Sequence, residues 1–373
     1  MYNRTKEVIR LKGLYIHIPF CEYICHYCDF VKSVPKNKET VNLYLEALEK
    51  EVFSHESHFD SIETIYIGGG TPSMLDIEQL TSLFESLKGI TPKEYSIEVN
   101  PESYTEEKGL LFKKYGINRI SLGVQTFNQK LLKYLNRKHT NQQVFEIIEH
   151  LKKIEMPQIS VDLIYAIPSQ KIEDLYFDLE QINSLNITHV SCYSLILEEK
   201  TYFYHQYLKG KFEQMDEDTE AQMYGIVMEE LVKQGFEHYE ISNFAKNGHY
   251  SYHNLIYWTL GSYIGVGLGA HGFIDSKRTY NQRSMKKYLI QPQIESVYQD
   301  QATLLQDELI FGLRKIKGIS LSDINDKYQI DVFREYPQLY EKIDLGLIKI
   351  EGDRLMLTQK GLFLGNQVFM VFI

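Results

Sequence analysis

Residues 14–30 read LYIHIPFCEYICHYCDF: an apolar, β-favouring run is followed at once by three cysteines, Cys21, Cys25 and Cys28. The chain of 373 residues contains only four cysteines, so most of them fall in this one short stretch. Three clustered thiols cannot pair off as a disulfide framework, and such clusters are typical of proteins in a reducing compartment. We therefore expect a cytoplasmic protein whose clustered thiols bind a metal.

The C-x3-C-x2-C spacing limits the kind of metal site. Soft thiolate ligands suit zinc and iron–sulfur clusters. A structural zinc site needs four protein ligands, and His26 is poorly placed as the fourth because cysteines flank it on both sides. Three thiolates on a four-iron cluster leave one iron open to a small molecule. The spacing favours such a cluster, and a structural zinc site is the alternative.

Short β-rich runs alternate with longer amphipathic stretches through the first half of the chain. The predicted strands are Leu14–Ile18, Thr64–Ile67, Tyr95–Val99, Arg119–Val124, Ile159–Leu163 and Val190–Leu195. The predicted helices between them are Lys38–Phe53, Asp76–Leu87, Thr105–Tyr115, Gln142–Ile154 and Ile172–Ile182. Ser103, with Glu106 three residues later, is the predicted N-cap of the third helix. This alternation predicts an α/β fold, a partial (β/α)6 TIM-like barrel.

The pattern changes after about residue 200. Residues 236–273 are rich in aromatic side chains and glycine. Further helices are predicted at Asp216–Gln234, Asp307–Lys315, Ser320–Tyr328 and Asp331–Lys342, and a hairpin at 347–357 around Gly352-Asp353. We expect three segments: a barrel core at 1–235, an aromatic and glycine-rich extension at 236–300, and a smaller winged-helix-like α+β domain at 301–373.

The composition argues against several classes of function. A total of 40 Lys and Arg against 50 Asp and Glu gives a net charge of −10, so nucleic acid is not an expected partner, even for the winged-helix-like segment. Charges are scattered through residues 1–20, which predicts that no signal peptide is present, and no apolar run is long enough to span a membrane. The short apolar C-terminus, 368–373, is expected to dock on the protein, with contact to a membrane surface as the alternative.

A C-x3-C-x2-C motif just after a first strand, in a chain with six βα units, resembles the radical S-adenosylmethionine (SAM) superfamily. The resemblance implies a [4Fe–4S] cluster held by Cys21, Cys25 and Cys28, with SAM chelated at the open iron. It implies radical chemistry at SAM and an electron donor such as flavodoxin or ferredoxin. The positions that contact SAM in similar proteins are occupied here by Tyr15, Tyr27, Gly69, Gly70, Thr71, Glu98, Gln125, Arg137 and Asp162.

The residues themselves support part of this assignment. Glu98, Gln125 and Asp162 lie at or near the ends of successive predicted strands, where a βα barrel carries its active site. Each of them alone could equally be a helix cap or a salt-bridge partner, and a triple-glycine turn alone is more often a tight loop. Their order along the chain favours the ligand site.

Three further stretches resemble the oxygen-independent coproporphyrinogen III oxidase group: residues 118–125 (NRISLGVQ), 135–139 (LNRKH) and 239–245 (YEISNFA). That group contains oxidases that decarboxylate two propionates of a porphyrinogen, and haem chaperones of the HemW type without that activity. The oxidases have a further cysteine where this chain has Phe30, and a long extension before the cluster motif. Residues 253–258 (HNLIYW) match the HNxxYW motif of the haem-chaperone branch.

The resemblance therefore implies a chaperone that binds haem and passes it to an acceptor haemoprotein, such as one at the membrane, as a monomer or homodimer. His253 is the candidate haem ligand, because neutral imidazole is a common axial ligand and Tyr257 and Trp258 supply flat neighbours. A structural role that links the barrel edge to the rest is the alternative for His253. The alternative function is oxidation of coproporphyrinogen, with Arg119 or Arg137 binding its propionates.

Overall fold

The computed structural model describes residues 12–373; residues 1–11, on which the expectation about a signal peptide partly rests, lie outside it. Six parallel strands follow one another in chain order through one large sheet. They are β1 (Gly13–Ile18), β2 (Thr64–Gly69), β3 (Glu94–Val99), β4 (Arg119–Gln125), β5 (Gln158–Tyr165) and β6 (His189–Ser194). The helices between them are α1 (Lys38–Phe53), α2 (Ile77–Glu85), α3 (Glu106–Lys114), α4 (Gln129–Tyr134), α5 (Asn141–Lys153) and α6 (Ile172–Leu185). The α/β fold predicted from the alternation is confirmed.

Burial explains why these segments form a parallel sheet. Every residue of β4 is buried, and the other central strands are rich in Ile, Val and Leu, as a sheet covered by helices requires. The helices start at polar caps: Asp76 and Thr140 form capping boxes at α2 and α5. Short 3₁₀ helices are at Glu56–Ser61, Pro72–Met74, Pro101–Ser103 and Met370–Phe372.

The predicted cap of α3 was wrong. Thr105 caps this helix, and its hydroxyl accepts the backbone N–H of Lys108 at 3.2 Å. Pro101 starts a 3₁₀ turn that includes Ser103, whose hydroxyl instead lies 2.6 Å from that of Ser73. The turn moves the helix cap two residues along the chain.

The barrel remains open, because β1 and β6 pair with other strands and not with each other. β1 has β9 (Tyr263–Val266) as its second neighbour, in parallel, and β6 pairs with β8 (Asn243–Ala245), antiparallel. The remaining elements of this part are α7 (Tyr202–Leu208), α8 (Glu217–Lys233), β7 (Glu237–Glu240), α9 (Tyr252–Trp258), β10 (His271–Ile274), β11 (Lys277–Asn281), α10 (Met285–Tyr288) and β12 (Gln293–Tyr298). All strands between residues 237 and 298 extend the same 12-stranded sheet. The sequence patterns had not predicted them.

A second hydrophobic core organises the C-terminal part, where three strands pair in the order β13–β15–β14. Its elements are α11 (Gln301–Gly312), β13 (Ile319–Ser320), α12 (Leu321–Tyr328), α13 (Val332–Glu335), α14 (Gln338–Asp344), β14 (Ile348–Glu351), β15 (Arg354–Leu357), α15 (Gln359–Phe363) and α16 (Gly365–Phe369). The hairpin around Gly352 is confirmed. The prediction of a single helix over Asp331–Lys342 is wrong. The segment forms two short helices, α13 and α14, separated at Pro337, which lacks a backbone N–H.

The apolar C-terminus docks on the protein, as expected. Val368 and Phe372 are buried in the second core, and Phe372 packs edge-on against Tyr336. No helix in the described part of the chain combines the length and the apolar character that crossing a bilayer requires. The three-segment division, 1–235, 236–300 and 301–373, remains a proposal.

The first core and the C-terminal part meet at Glu240. The backbone on either side of this residue pairs with residues 314–316: Ile241 N donates to Arg314 O at 3.0 Å, and Ile316 N to Tyr239 O at 3.1 Å. Glu240 is almost fully buried, and burial raises its pKa to about 7, against the opposing effect of its polar neighbours.

We expect Glu240→Gln to change how stability depends on pH. Because the folded chain holds a proton on Glu240 that the unfolded chain releases, the wild type loses stability as pH rises from about 4.5 to about 7. Relative to Glu240→Gln, the wild-type free energy of unfolding should therefore fall by about 2–3 kcal/mol over this range. Urea unfolding at several pH values measures the difference. A constant difference would contradict the assignment, and Glu213→Gln, at an exposed position, is the control.

Candidate cofactor site at the open end of the barrel

A cavity of about 660 Å³ opens at the carboxyl ends of the central strands. All three cysteines of the motif line it. The residues expected to contact SAM that also line it are Tyr27, Gly69, Gly70, Thr71, Glu98, Gln125, Arg137 and Asp162. Strand ends at this face are held by the sheet while the loops beyond them vary, which is why barrel proteins carry their active sites here.

Tyr15 is the one SAM-contact candidate that the cavity wall does not include. Its hydroxyl lies 2.9 Å from Nδ1 of His17, and its ring stacks on Tyr66 with the centroids 6.2 Å apart. Tyr66 stands opposite Tyr15 in the register of β1 and β2 and lines the cavity instead. Contact of Tyr15 with SAM stays a prediction. Tyr66, which lines the cavity at this level of the sheet, is a residue that the sequence patterns did not single out.

The cysteine loop between β1 and α1 is tied to the protein at several points. The backbone N–H of Cys21 donates to Ser33 O at 3.0 Å, and that of His26 donates to Leu135 O at 3.2 Å. Burial raises the pKa of Cys21 to about 11 and also raises the pKa of Cys28. Both side chains are therefore thiols at neutral pH until a metal displaces the proton.

His26 does not complete a set of four ligands with the three thiols in the described residues. Nδ1 of His26 donates to the carbonyl of Tyr134 at 2.8 Å, and the His26 ring stacks on Tyr202, so this side chain braces the loop. Within residues 12–373, no three His, Cys, Asp or Glu side chains converge closely enough to hold one metal ion. A four-iron cluster is larger than an ion and spaces its thiolates further apart. The arrangement thus offers no ready-made zinc site.

Glycines at the end of β2 let two backbones approach closely. The N–H of Gly70 donates to Ile18 O at 2.8 Å, beside the chain that leads into the cysteine loop. Gly69 has φ of +113°, and a Cβ there would lie 2.5 Å from the ring of His17. A Cβ on Gly70 would lie 2.7 Å from Phe20 O. Only glycine meets both requirements at position 69.

Two carboxyl groups face the cavity from β3 and β5. Glu98 accepts the Tyr66 hydroxyl at 2.9 Å and the Gly69 N–H at 3.0 Å. Asp162 accepts the Ser121 hydroxyl at 3.0 Å. Burial raises the pKa of Glu98 to about 7 and that of Asp162 to about 6. A cationic ligand would lower both pKa values and keep both groups ionised.

Arg137 is committed to protein partners. Its guanidinium donates to Asn100 Oδ1 at 3.0 Å and to Gly123 O at 2.8 Å. It also pairs with Glu102 at 3.1 Å. Burial alone would raise the pKa of Glu102, but the hydrogen bond with His139 and the charge of Arg137 hold this pKa well below its usual range. The sequence patterns did not single out Asn100 or Glu102. Their positions just after the end of β3 are the signal that could have identified them.

Gln125, at the cavity wall, has a buried acceptor without a partner among the described residues. It ends β4 with φ of 71°, at a register shift between β4 and β5, and such strained residues concentrate at functional sites. Its side chain is buried, lines the cavity, and has an Oε1 atom with no hydrogen-bond partner in the described part of the chain. A ligand N–H or O–H would satisfy it. The three thiols and this acceptor together fit a thiolate-held cluster with a polar small molecule beside it.

His253 lies near the opposite end of the strands, in α9. It is fully buried, with Nδ1 at 2.7 Å from the Thr64 hydroxyl and Nε2 at 2.8 Å from the Tyr257 hydroxyl. The carboxylate of Glu94 accepts the backbone N–H groups of Tyr252 and His253. Burial lowers the pKa of His253 to about 3, so the ring is neutral. Because both nitrogens are engaged, the geometry favours the structural role, and haem ligation by His253 stays a prediction.

The rest of the HNLIYW motif joins three parts of the molecule. Asn254 lines the cavity from below, which the sequence analysis missed. The ring of His253 stacks on Tyr66, a wall residue, with the centroids 5.3 Å apart. Trp258 lies under the guanidinium of Arg314, which belongs to the C-terminal part. Helix α9 thus closes the floor of the barrel.

Comparisons with known proteins agree with this architecture. Residues 15–182 match the Radical SAM superfamily, and residues 299–364 match the HemN C-terminal domain. The chain is 38% identical to "Heme chaperone HemW" of Bacillus subtilis over 97% of this chain and 99% of that protein. The chain belongs to the HemW family. A second HemW protein, from Lactococcus lactis, is also 38% identical, over 96% of both chains.

The fold of this HemW-family chain is also that of a solved radical SAM enzyme. The structure of coproporphyrinogen III oxidase (HemN) from Escherichia coli superposes with a TM-score of 0.85, covering 98% of this chain and 90% of that chain. Sequence identity between the two is 23%. At that level the likeness shows the α/β radical SAM fold with its smaller C-terminal domain, and nothing about the substrate.

We expect Gly69→Ala to destabilise the chain more than Gly89→Ala. Both positions have positive φ, but a Cβ at Gly89 would find only Phe59 at 3.7 Å, whereas one at Gly69 would collide with His17. The predicted loss in the free energy of unfolding is about 2–4 kcal/mol for Gly69→Ala and about 1–2 kcal/mol for Gly89→Ala. Chemical denaturation measures both. Equal losses would show that the close approach at Gly69 is unimportant.

We expect His253→Ala to lower the free energy of unfolding by about 2–4 kcal/mol, because it opens a cavity and leaves two buried hydroxyls without their partner. His205→Ala, at an exposed histidine, is the control and should leave stability unchanged. A His253→Ala variant of wild-type stability would contradict the structural role.

Proposed function

We propose that this chain binds a [4Fe–4S] cluster through Cys21, Cys25 and Cys28, binds SAM at the open iron, and delivers haem to an acceptor haemoprotein. The observation that carries the cofactor part is that the three thiols share one cavity with the open acceptor of Gln125. The haem part is supported by two relatives named "Heme chaperone HemW". This chain aligns with nearly the whole length of each.

The chain's own residues would bind and orient the nucleotide. Glu98 and Asp162 lie buried in the wall and would complement the positive charge of a sulfonium or ammonium group. Gln125 would accept a hydrogen bond, and the glycines at 69 and 70 leave the backbone accessible. When bound, cluster and SAM would supply one-electron chemistry.

The alternative, coproporphyrinogen oxidation, finds less support in the charges of the cavity. Among the described residues that line it, the basic side chains are Lys32 and Arg137. Lys32 donates to Cys28 O, and Arg137 is paired with Glu102. Arg119 is not in the wall; its guanidinium donates to Gln158 at 2.6 Å. Propionate carboxylates would therefore meet few uncommitted cations inside this cavity.

The same proposal includes an acceptor haemoprotein and an electron donor such as flavodoxin or ferredoxin. It also includes a monomeric or homodimeric state and a cytoplasmic location. All four cysteines are unpaired, as a reducing compartment would keep them.

We expect Cys28→Ser to abolish the four-iron cluster after anaerobic reconstitution, because two thiolates cannot hold it at the cavity. Cys192→Ala is the matched control: Cys192 is buried on β6, outside the loop, and its loss should leave iron and sulfide content unchanged. Zinc in place of iron and sulfide in the wild type would contradict the cluster.

We expect the reconstituted wild type to shift the Soret band of added haem and to leave coproporphyrinogen unconverted in the presence of SAM and a reductant. Decarboxylation of coproporphyrinogen without a Soret shift would contradict the haem-chaperone function and favour the alternative, coproporphyrinogen oxidation.

A further inference from the structure

The mouth of the cavity has an apolar rim made from the two ends of the open barrel. Phe30 follows the cysteine loop after β1, and Ile196 follows β6. Both line the cavity, and both are mostly exposed, by 63% and 68%. Both therefore follow an end strand of the open barrel, since β1 and β6 do not pair with each other.

The volume of the cavity leaves no room for two large ligands. About 660 Å³ lies within the roughly 300–1,000 Å³ that encloses one ligand of drug size. The inner part holds the thiols, Glu98 and Asp162, the groups that suit a cluster and a polar nucleotide. A complete porphyrin would therefore have to lie across the mouth, partly in solvent.

The chemistry of the rim suits such a ligand. Large apolar side chains held in water favour an apolar partner, and an aromatic ring stacks well on a flat macrocycle. The charged residues beside the rim are Asp29, Lys32 and Glu198, and the ammonium of Lys32 already donates to Cys28 O. Two carboxylates beside one cation that already has a partner disfavour the burial of propionates here. The propionates of the ligand would therefore point to solvent.

We propose that haem docks across this mouth, with an edge of the macrocycle between Phe30 and Ile196 and its propionates in water. This proposal rests on the proposed haem-chaperone function and specifies where the chain holds its cargo. It separates haem from His253, which lies buried at the barrel floor.

The test is a haem titration, followed by the Soret band, of the full chain after anaerobic reconstitution with cluster and SAM. Phe30→Asp and Ile196→Asp should each weaken haem binding about tenfold or more, because each removes apolar contact and places a carboxylate beside the macrocycle. Phe30→Leu, which keeps the apolar rim, should stay within about threefold of the wild type. Ile290→Asp is the control, at a residue 87% exposed and outside the cavity wall.

Iron and sulfide analysis accompanies each titration. If Phe30→Asp loses the cluster because of its closeness to Cys28, Ile196→Asp decides the matter, since it lies outside the cysteine loop. Undiminished haem affinity in Ile196→Asp with wild-type cluster content would overturn the docking site. Loss of haem binding in a stably folded His253→Gln, with both Asp variants unaffected, would overturn it in favour of the barrel floor. A wild type that binds no haem would overturn the proposed function together with the site.

Discussion

The candidate cofactor site depends on one backbone contact, between the glycine turn after β2 and the chain that leaves β1. The N–H groups of Gly70 and Thr71 donate to Ile18 O and Phe20 O at 2.8 and 2.7 Å, directly before Cys21. These bonds hold the start of the cysteine loop against the sheet. The same turn points the N–H of Gly69 at Glu98, so cysteine loop and carboxylate are positioned by one local structure. Any side chain at these glycines would separate what the turn brings together.

The electrostatics of the cavity follow from burial. Glu98 and Asp162 are held in the wall at a cost, since burial raises the pKa of each, and a bound cation would offset that cost. Arg137 cannot do so alone, because Glu102 already pairs with it. A cavity of this kind favours a cationic nucleotide over a polycarboxylate.

Much of the barrel could be predicted because its signals are local. Helix α1 begins and ends where the sequence pattern places it, since capping by Asn37 and the apolar spacing both lie within the segment. The placement of Glu98 and Asp162 in the second half of their strands follows from alternation alone. The strands between residues 237 and 298 could not be found this way: β9 exists because it pairs with β1, more than 200 residues earlier in the chain. The direction of Arg119, away from the cavity, also depends on such distant contacts.

The HNLIYW motif lies on one short helix, α9, that contacts several parts of the molecule. His253 and Tyr257 are hydrogen-bonded to each other beneath the cavity, while Asn254, the next residue of the same helix, reaches the cavity wall. Trp258, one turn further on, packs against Arg314 of the C-terminal part. Successive helix residues point in different directions, so one short helix contacts barrel, cavity and C-terminal part at once. A change at one of these positions would reach the others through this short helix, in which His253 and Ile256 are buried, and that is sufficient reason for the motif to be specific.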